Sequence, residues 1–215
     1  MPSNYDNSAW FYDRLSRVIY GRAIIRSQVY LLQHIPASSN ILIVGGGTGW
    51  ILEEIAKIHP SGLKITYVEI SAKMMALSRK RNAGRSEVNY INEPIENVPV
   101  IENQDVVITP FLFDNFTEQT LQKVFSHIDK ALKPGGIWLN TDFHITGKWW
   151  QKILLRSMFV LFRIICQIEA SQLPGIEKCF AQYRYGIIDQ KSFCGEFILS
   201  TIYQKQKTYE VLKTS

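Results

Sequence analysis

Short apolar runs alternate with longer amphipathic stretches over the first two thirds of the chain. Residues 41–44 are aliphatic and precede a run of glycines, which is typical of a buried parallel strand. Residues 50–58 then carry apolar side chains at helical spacing. The same alternation predicts strands at 65–68, 88–91, 105–108 and 137–141, and helices at 72–81 and 117–132. Strands that alternate with helices predict a parallel sheet covered on both faces.

The last third of the chain has a different pattern. A long helix is predicted over residues 148–170, and Leu173-Pro174-Gly175 separates it from two β-rich runs at 181–188 and 197–204. The polar segment between these runs includes Gly195 and suits a hairpin-type connection. We therefore predict a three-layer α/β fold whose sheet is mostly parallel and ends in an antiparallel C-terminal strand pair.

Composition favours one ordinary globular domain, because the 215 residues are 46% hydrophobic and 20% charged. The net charge of +5 is modest, and its densest run, Arg79-Lys80-Arg81, falls where a predicted helix ends. Cations in a last helical turn offset the helix dipole, so we expect no nucleic-acid partner. The three cysteines are widely spaced and odd in number, so we expect no disulfide framework and a cytoplasmic location. Neither the cysteines nor the four histidines show metal-ligand spacing, so we expect no metal.

Two segments bear on membranes. The first residues lack a basic start followed by an apolar run, so we expect no signal peptide. The apolar stretch 149–168 contains Lys152, Arg156 and Arg163, which argue against a membrane span. With Lys148, these cations recur at mostly four-residue steps, and we keep the hypothesis that this helix rests on a membrane surface.

The most informative string is Gly45-Gly46-Gly47-Thr48-Gly49, between a predicted strand and a predicted helix. Glycines there let the backbone turn sharply and approach a ligand near the helix N-terminus. A dinucleotide site needs G-x-G-x-x-G, but bulky Trp50 stands where its third glycine would be. The G-x-G-x-G spacing favours S-adenosylmethionine.

Glu69 supports a nucleoside-type ligand. It comes at the end of the second predicted strand, twenty residues after Gly49. A carboxylate there can accept hydrogen bonds from both hydroxyls of a ribose. The alternative is a solvated loop glutamate.

With these motifs, the chain resembles the class I S-adenosylmethionine-dependent methyltransferases. The resemblance rests on ILIVGGGTGW, YVEISAKMMALSRKR, DVVITPFLFDNF and LKPGGIWLNTDF, in that order. It implies one Rossmann-like methyltransferase domain: an N-terminal helical lid (1–39), a cofactor-binding core (40–143), and a long helix with the terminal strand pair (144–215). The early YDRLSRVIYG resembles the lid of ubiquinone/menaquinone-type C-methyltransferases.

The resemblance also assigns cofactor contacts. The glycine loop, with Glu69, takes the methionine and ribose side, and the carbonyl of Thr109 meets the ammonium group. Ile70 and Met74 line the adenine, although Met74 is alternatively plain helix core. The chain departs from the family pattern at two positions. Ile43 stands where the family commonly has an acidic residue, and Pro94 stands where it commonly has an aspartate that contacts the adenine amino group. The neighbouring Glu93 is the candidate substitute for that aspartate. The full predicted cofactor set is Gly45, Gly46, Gly47, Gly49, Glu69, Ile70, Met74, Glu93, Thr109 and Phe111.

Candidates for a catalytic base are Asp114, Asp142 and His144, all near the carboxyl ends of strands. His144 is alternatively a satisfied loop histidine, Asp142 a capping or orienting group, and Asp114 a turn residue.

The expected substrate is a small aromatic or aliphatic molecule, because the predicted lid and long helix are rich in Trp, Tyr and Phe. The same aromatic side chains alternatively complete the core. A non-catalytic S-adenosylmethionine-binding module remains an alternative function. An aminopropyltransferase is a weaker one, because Thr109-Pro110-Phe111 lacks the acidic pair that would hold an amine.

Overall fold

Seven strands form one sheet in the computed structural model, which describes residues 21–166, 170 and 172–206. The strand order is β3-β2-β1-β4-β5-β7-β6. The strands are β1 (Asn40–Val44), β2 (Ser61–Val68), β3 (Arg85–Ile91), β4 (Gln104–Pro110), β5 (Leu132–Phe143), β6 (Tyr185–Phe193) and β7 (Ile198–Lys205). The helices are α1 (Ala23–Leu32), α2 (Trp50–Ile58), α3 (Ala72–Ser78), α4 (Glu118–Ala131), α5 (Trp149–Cys166) and α6 (Ile176–Gln182). Short 3₁₀ turns occur at Ile95–Asn97 and Phe113–Asn115.

The predicted fold class is confirmed. Strands β1 to β5 pair in parallel, whereas β7 pairs antiparallel with both β5 and β6. The chain adds strands on one side of β1 up to β3 and then crosses to the other side with β4. The carboxyl ends of β1 and β4 therefore flank the topological switch point, where the strand order reverses. Ligands of open α/β sheets bind in the crevice at such a point.

Apolar side chains fill both faces of the sheet, because alternate residues of a strand point to opposite sides. Leu42 and Val44 of β1 join a core beneath α4 and α6, centred on Trp138 and Phe125. Ile41 and Ile43 join the core on the other face, with side chains from α1 and α2. The unusual Ile43 is therefore a fully buried core residue.

A third apolar cluster joins α5 to the end of β5. Its buried members include Leu155, Met158 and Phe159 of the helix together with Phe197, and Phe143 packs against them. This places α5 beside the carboxyl end of β5. Within the described residues, no helix is long and apolar enough to cross a membrane.

Several element boundaries differ from the prediction. The strand expected at 181–188 is wrong in its first residues: a helix runs to Gln182, and the strand extends from Tyr185 to Phe193. The predicted helix 72–81 ends at Ser78, and α5 begins at Trp149. Strand β5 begins at Leu132, the last residue of the predicted helix 117–132, and so includes five residues before the predicted strand start at 137.

The predicted N-terminal lid lies mostly outside the described residues. Its described helix, α1, packs against β7 and α2, and its Leu31 and Leu32 are buried in the core. This helix therefore helps to cover one face of the sheet.

Candidate functional site

The glycine loop joins β1 to α2 through three residues in the left-handed region of backbone conformation. Their φ angles are 70° for Gly45, 63° for Gly47 and 79° for Gly49. Residues other than glycine rarely adopt this backbone conformation. The Gly45 N–H donates to the carbonyl of Val68 at 2.9 Å, so the loop begins tied to the end of β2.

Two of the loop glycines pack too closely against neighbouring residues to carry a side chain, whereas a third borders open space. A Cβ on Gly46 would overlap the ring of Tyr67. A Cβ on Gly49 would lie 2.5 Å from the Cβ of Ser78, so this glycine lets the loop rest against α3. A Cβ on Gly47 would meet only the Met74 sulfur, at 3.9 Å. The backbone at Gly47 thus borders room that a ligand can fill.

Glu69 lies directly beside this loop and is only 4% exposed. Its Oε2 accepts a hydrogen bond from the Gly47 N–H at 2.9 Å, and its Oε1 accepts one from the Ser71 N–H at 2.8 Å. The alternative of a solvated loop glutamate is therefore wrong. Two backbone donors hold the carboxylate in a fixed position against the tip of the loop, where it fits a ligand that carries vicinal hydroxyls.

Three side chains that support the loop or the neighbouring turn after β2 were missed by sequence reasoning. The Tyr67 hydroxyl donates to the Gly47 carbonyl at 3.0 Å, and Arg81 Nε donates to the Thr48 carbonyl at 3.0 Å. Burial raises the pKa of Tyr67 well above its ordinary value, so the hydroxyl keeps the proton that it donates. In the sequence, Tyr67 is indistinguishable from a strand core residue, and Arg81 from a cation at a helix end.

Asn92 is the third missed residue. Its amide donates to the carbonyls of Glu69, at 2.7 Å, and Ile70, at 3.0 Å, which fixes the turn between β2 and α3. Its place at the end of a strand was a usable signal. The neighbouring Glu93, predicted to meet the cofactor, is exposed.

The predicted adenine contacts follow the same turn. Ile70 is half-buried, and Met74 is 4% exposed, with its sulfur towards Gly47. Pro94 starts the 3₁₀ turn Ile95–Asn97, whose Ile95 is buried in the core. The structure therefore gathers the loop, Glu69 and Met74 at one place, and their contacts with adenosine remain predictions.

At the end of β4, Thr109 uses its side chain within the sheet. Its hydroxyl donates to Asn140 Oδ1 at 2.8 Å and accepts from the Trp138 indole N–H at 2.8 Å. The strand continues to Pro110, one residue beyond Thr109. The side chain is thus occupied, and a predicted role for Thr109 rests on its main-chain carbonyl.

Phe111, whose neighbour Leu112 packs against Gly45 of the loop, begins an aromatic wall. Its φ of 50° is unusual for a residue with a side chain, and its N–H donates to the Thr141 carbonyl at 2.7 Å. The ring centre lies 5.0 Å from that of Phe143, which in turn lies 5.2 Å from Phe197. Three aromatic rings therefore line up from the end of β4 across the end of β5.

Asp114 and Asp142 form a buried carboxyl pair, 7% and 6% exposed. Asp142 accepts hydrogen bonds from the N–H groups of Phe113, at 3.2 Å, and Phe143, at 2.8 Å. Burial raises the pKa of Asp142 to about 7. Burial, with the nearby Asp142 charge, also raises the pKa of Asp114 well above its usual range. The pair therefore retains a proton near neutral pH and fastens the 113–115 turn to β5.

His144 lies apart from this pair in its bonding. Its backbone N–H donates to the Phe197 carbonyl at 2.9 Å, and its side-chain Nδ1 lies 3.6 Å from Glu177 Oε1. The carboxylate of Asp142 is instead engaged by backbone N–H groups of residues 113 and 143. The structure thus brings Asp114 and Asp142 together, whereas the acidic residue beside His144 is Glu177, at 3.6 Å, which sequence reasoning missed.

Comparison with known proteins places this geometry in a family. A family model described as "Methyltransferase domain" matches residues 41–136. The chain is 32% identical over 194 residues to the "Ubiquinone/menaquinone biosynthesis C-methyltransferase UbiE" of Geotalea daltonii, an alignment covering 84% of this chain and 76% of that protein.

Two further comparisons are more limited. The chain is 33% identical over 107 residues to "Malonyl-[acyl-carrier protein] O-methyltransferase 2" of Ilyobacter polytropus, covering 48% of this chain and 39% of that protein. It therefore spans less than half the length of that relative, and also of the Bacillus cereus protein of the same activity. Among solved structures, the complex of the Haloferax volcanii Trm112 activator with a methyltransferase matches with a TM-score of 0.68 at 13% identity, covering 96% of this chain and 99% of that one. That match shows the fold.

The glycine loop and Glu69 meet at the switch point of the sheet, and the alignment with the C-methyltransferase extends well beyond them. Both observations agree with the family model over the core strands. The chain belongs to the class I S-adenosylmethionine-dependent methyltransferases and is an enzyme whose cofactor is S-adenosylmethionine.

Proposed function

We propose that the enzyme transfers the methyl group of S-adenosylmethionine to a small, apolar or aromatic acceptor. The observation that carries this proposal is the position of the buried Glu69 carboxylate, held 2.9 Å from the Gly47 N–H of the glycine loop. Gly45 of the same loop packs against Leu112, the residue after Phe111 of the aromatic wall. A polar, anchored group for a nucleoside thus adjoins an apolar surface for an acceptor. A largely apolar site with few polar groups is typical of small-molecule pockets.

The cofactor residues divide their work by chemistry. Glu69 accepts the ribose hydroxyls, the Gly45–Gly49 segment lets the backbone approach the ligand, and Met74 with Ile70 borders the adenine. When bound, the cofactor supplies a sulfonium carbon open to in-line displacement. Because the reaction requires alignment above all, the residues that hold the loop contribute by keeping both partners in place.

On the acceptor side, the rings of Phe111 and Phe143 offer contact area rather than charge. The carboxyl pair is buried and retains a proton near neutral pH. The Asp142 oxygens already accept hydrogen bonds from two backbone N–H groups, so the pair holds the turn rather than accepting a proton from the substrate. This supports an acceptor that needs little help with deprotonation, such as an activated carbon or an amine. For an acceptor that loses a proton, His144, which is one third exposed and lies beside Glu177, would serve as the base.

Calorimetric titration of the purified enzyme with S-adenosylhomocysteine tests the cofactor assignment, and NAD serves as the control ligand. We expect binding of the former and none of the latter. Glu69→Ala should lower the affinity by about 10- to 100-fold, since hydrogen bonds to a charged group are worth about 1.5–3 kcal/mol. Glu87→Ala, at an exposed position of β3, is the matched control and should bind normally.

The loss must appear in a variant that still folds, so thermal denaturation accompanies each titration. Unchanged affinity in folded Glu69→Ala would place the ribose elsewhere. Methyl transfer to acceptors that differ only in polarity then tests the apolar wall. A consistent preference for charged acceptors would contradict that part of the proposal.

A further inference from the structure

Helix α5 presents an unusual surface on the side away from the core. Trp149 is 73% exposed, Ile153 60% and Val160 57%. They recur at steps of four and seven residues, which places them on one side of a helix. Three exposed cations lie on the same side. This surface, the exposed face of α5, comprises Trp149, Lys152, Ile153, Arg156, Val160 and Arg163.

The charges of this face are of one sign. The sequence of α5 contains no Asp or Glu, so Lys152, Arg156 and Arg163 have no acidic neighbour on their own helix. Lys148 just before the helix differs, because its ammonium is paired with Glu196 at 2.6 Å and also reaches the Gly195 carbonyl at 3.2 Å. It is therefore left out of the face, although the spacing of the sequence had grouped it there.

The opposite side of the same helix is buried. Leu155, Met158 and Phe159 pack with Phe197, and Phe143 joins this cluster. Core packing therefore accounts for one side of α5 and leaves large apolar residues exposed on the other. Contiguous exposed apolar surface is uncommon on soluble domains and marks a site of interaction.

We propose that the exposed face of α5 lies on an anionic lipid surface and attaches the enzyme peripherally to membranes. The mixture of residues favours lipid over protein. Apolar side chains would enter the boundary between headgroups and acyl chains, while the interleaved cations reach anionic headgroups, with Trp149 at the interface. Lysine is depleted in protein interfaces, whereas three cations with no acid on the same helix suit an anionic surface.

This attachment would bring the site close to the bilayer. The buried side of α5 contacts Phe143, whose ring contacts Phe111 of the aromatic wall. A helix with its side chains is about 10 Å across, so this wall would lie roughly one helix diameter from the lipid. The attachment does not depend on which acceptor is methylated.

Co-sedimentation of the full chain with vesicles tests the proposal. Vesicles of phosphatidylcholine with roughly 30% phosphatidylglycerol should bind the enzyme at low salt, and pure phosphatidylcholine vesicles should bind it much more weakly. Binding should weaken at about 1 M salt, because surface charges are then screened.

Two variants locate the binding surface. The variant K152Q/R156Q/R163Q should lose on the order of 100-fold in vesicle affinity, at about fivefold for each cation. The matched control K64Q/K80Q/K130Q removes three exposed lysines elsewhere and should lose far less. W149S/I153S should also detach the enzyme, whereas I187S/I188S changes two exposed isoleucines of β6 and should not. All four should bind S-adenosylhomocysteine normally.

Three outcomes would overturn the proposal. The first is that the unmodified enzyme does not co-sediment with anionic vesicles at low salt. The second is equal loss of binding in K152Q/R156Q/R163Q and its control, which would assign the attraction to net charge. The third is absence of vesicle binding together with a dimer that W149S/I153S dissociates, which would make this face a contact between copies of the chain. Failure of cofactor binding with normal vesicle binding would contradict only the proposed function.

Discussion

Gly49→Ala should damage the enzyme through a steric conflict that the structure specifies. Gly49 is the residue before α2 and has a φ of 79°. The direction in which a Cβ would project from it is towards α3. An added Cβ would lie 2.5 Å from the Cβ and 2.6 Å from the Cα of Ser78. Ser78 is fully buried, and one of the two clashing atoms belongs to the backbone. A rotamer change therefore cannot remove the overlap.

The expected cost has two parts. A left-handed backbone costs a residue with a Cβ about 1–2 kcal/mol. Overpacking against a rigid neighbour adds about 1–3 kcal/mol. The free energy of unfolding should therefore fall by about 2–5 kcal/mol. Displacement of the loop should also weaken the hydrogen bond from Arg81 Nε to the Thr48 carbonyl, now 3.0 Å long, and with it the cofactor site.

Gly147→Ala is the matched control. Gly147 has a φ of 90°, but a Cβ there would meet nothing within 4 Å. It should therefore lose only the conformational part, about 1–2 kcal/mol. Urea denaturation measures both variants, and calorimetric titration with S-adenosylhomocysteine measures the site. Equal destabilisation of the two variants would refute the steric argument, as would normal cofactor affinity in Gly49→Ala.

Two other changes have defined outcomes. Gly47→Ala should lose only about 1–2 kcal/mol of stability, because the added Cβ meets no protein atom closer than the Met74 sulfur. It should lose much of its affinity for S-adenosylhomocysteine, because the Cβ enters the space that the ligand would fill, and unchanged affinity in calorimetry would place the cofactor elsewhere. Asp142→Asn should flatten the pH dependence of stability. Because burial raises the pKa of Asp142 to about 7, its contribution is complete below about pH 4 and is lost as the pH rises to 7, by at most about 4 kcal/mol. Thermal denaturation at about pH 5 and about pH 8 measures this, and identical slopes in variant and parent would show that Asp142 titrates normally.

Local signals account for the parts of the molecule that were predicted correctly. Alternation of apolar runs with helical periodicity predicted β1 and α2 nearly to the residue. The side chains of Ser71 and Thr117 cap α3 and α4, which is again an interaction between near neighbours in the sequence. The glycine string predicted a sharp turn between strand and helix, because its need for left-handed backbone is a property of a few neighbouring residues.

Tertiary structure alone decided the partnerships. Glu69 meets the Gly47 N–H across 22 residues, and Asp142 holds the turn after Phe113 across 29. An acidic neighbour of His144 is Glu177, which comes from a helix that the pattern of apolar residues did not reveal. Such contacts depend on which strands lie side by side and on what fills the space between the layers. Periodicity determines the side of an element that is buried, whereas packing of the whole chain determines which distant side chain it meets.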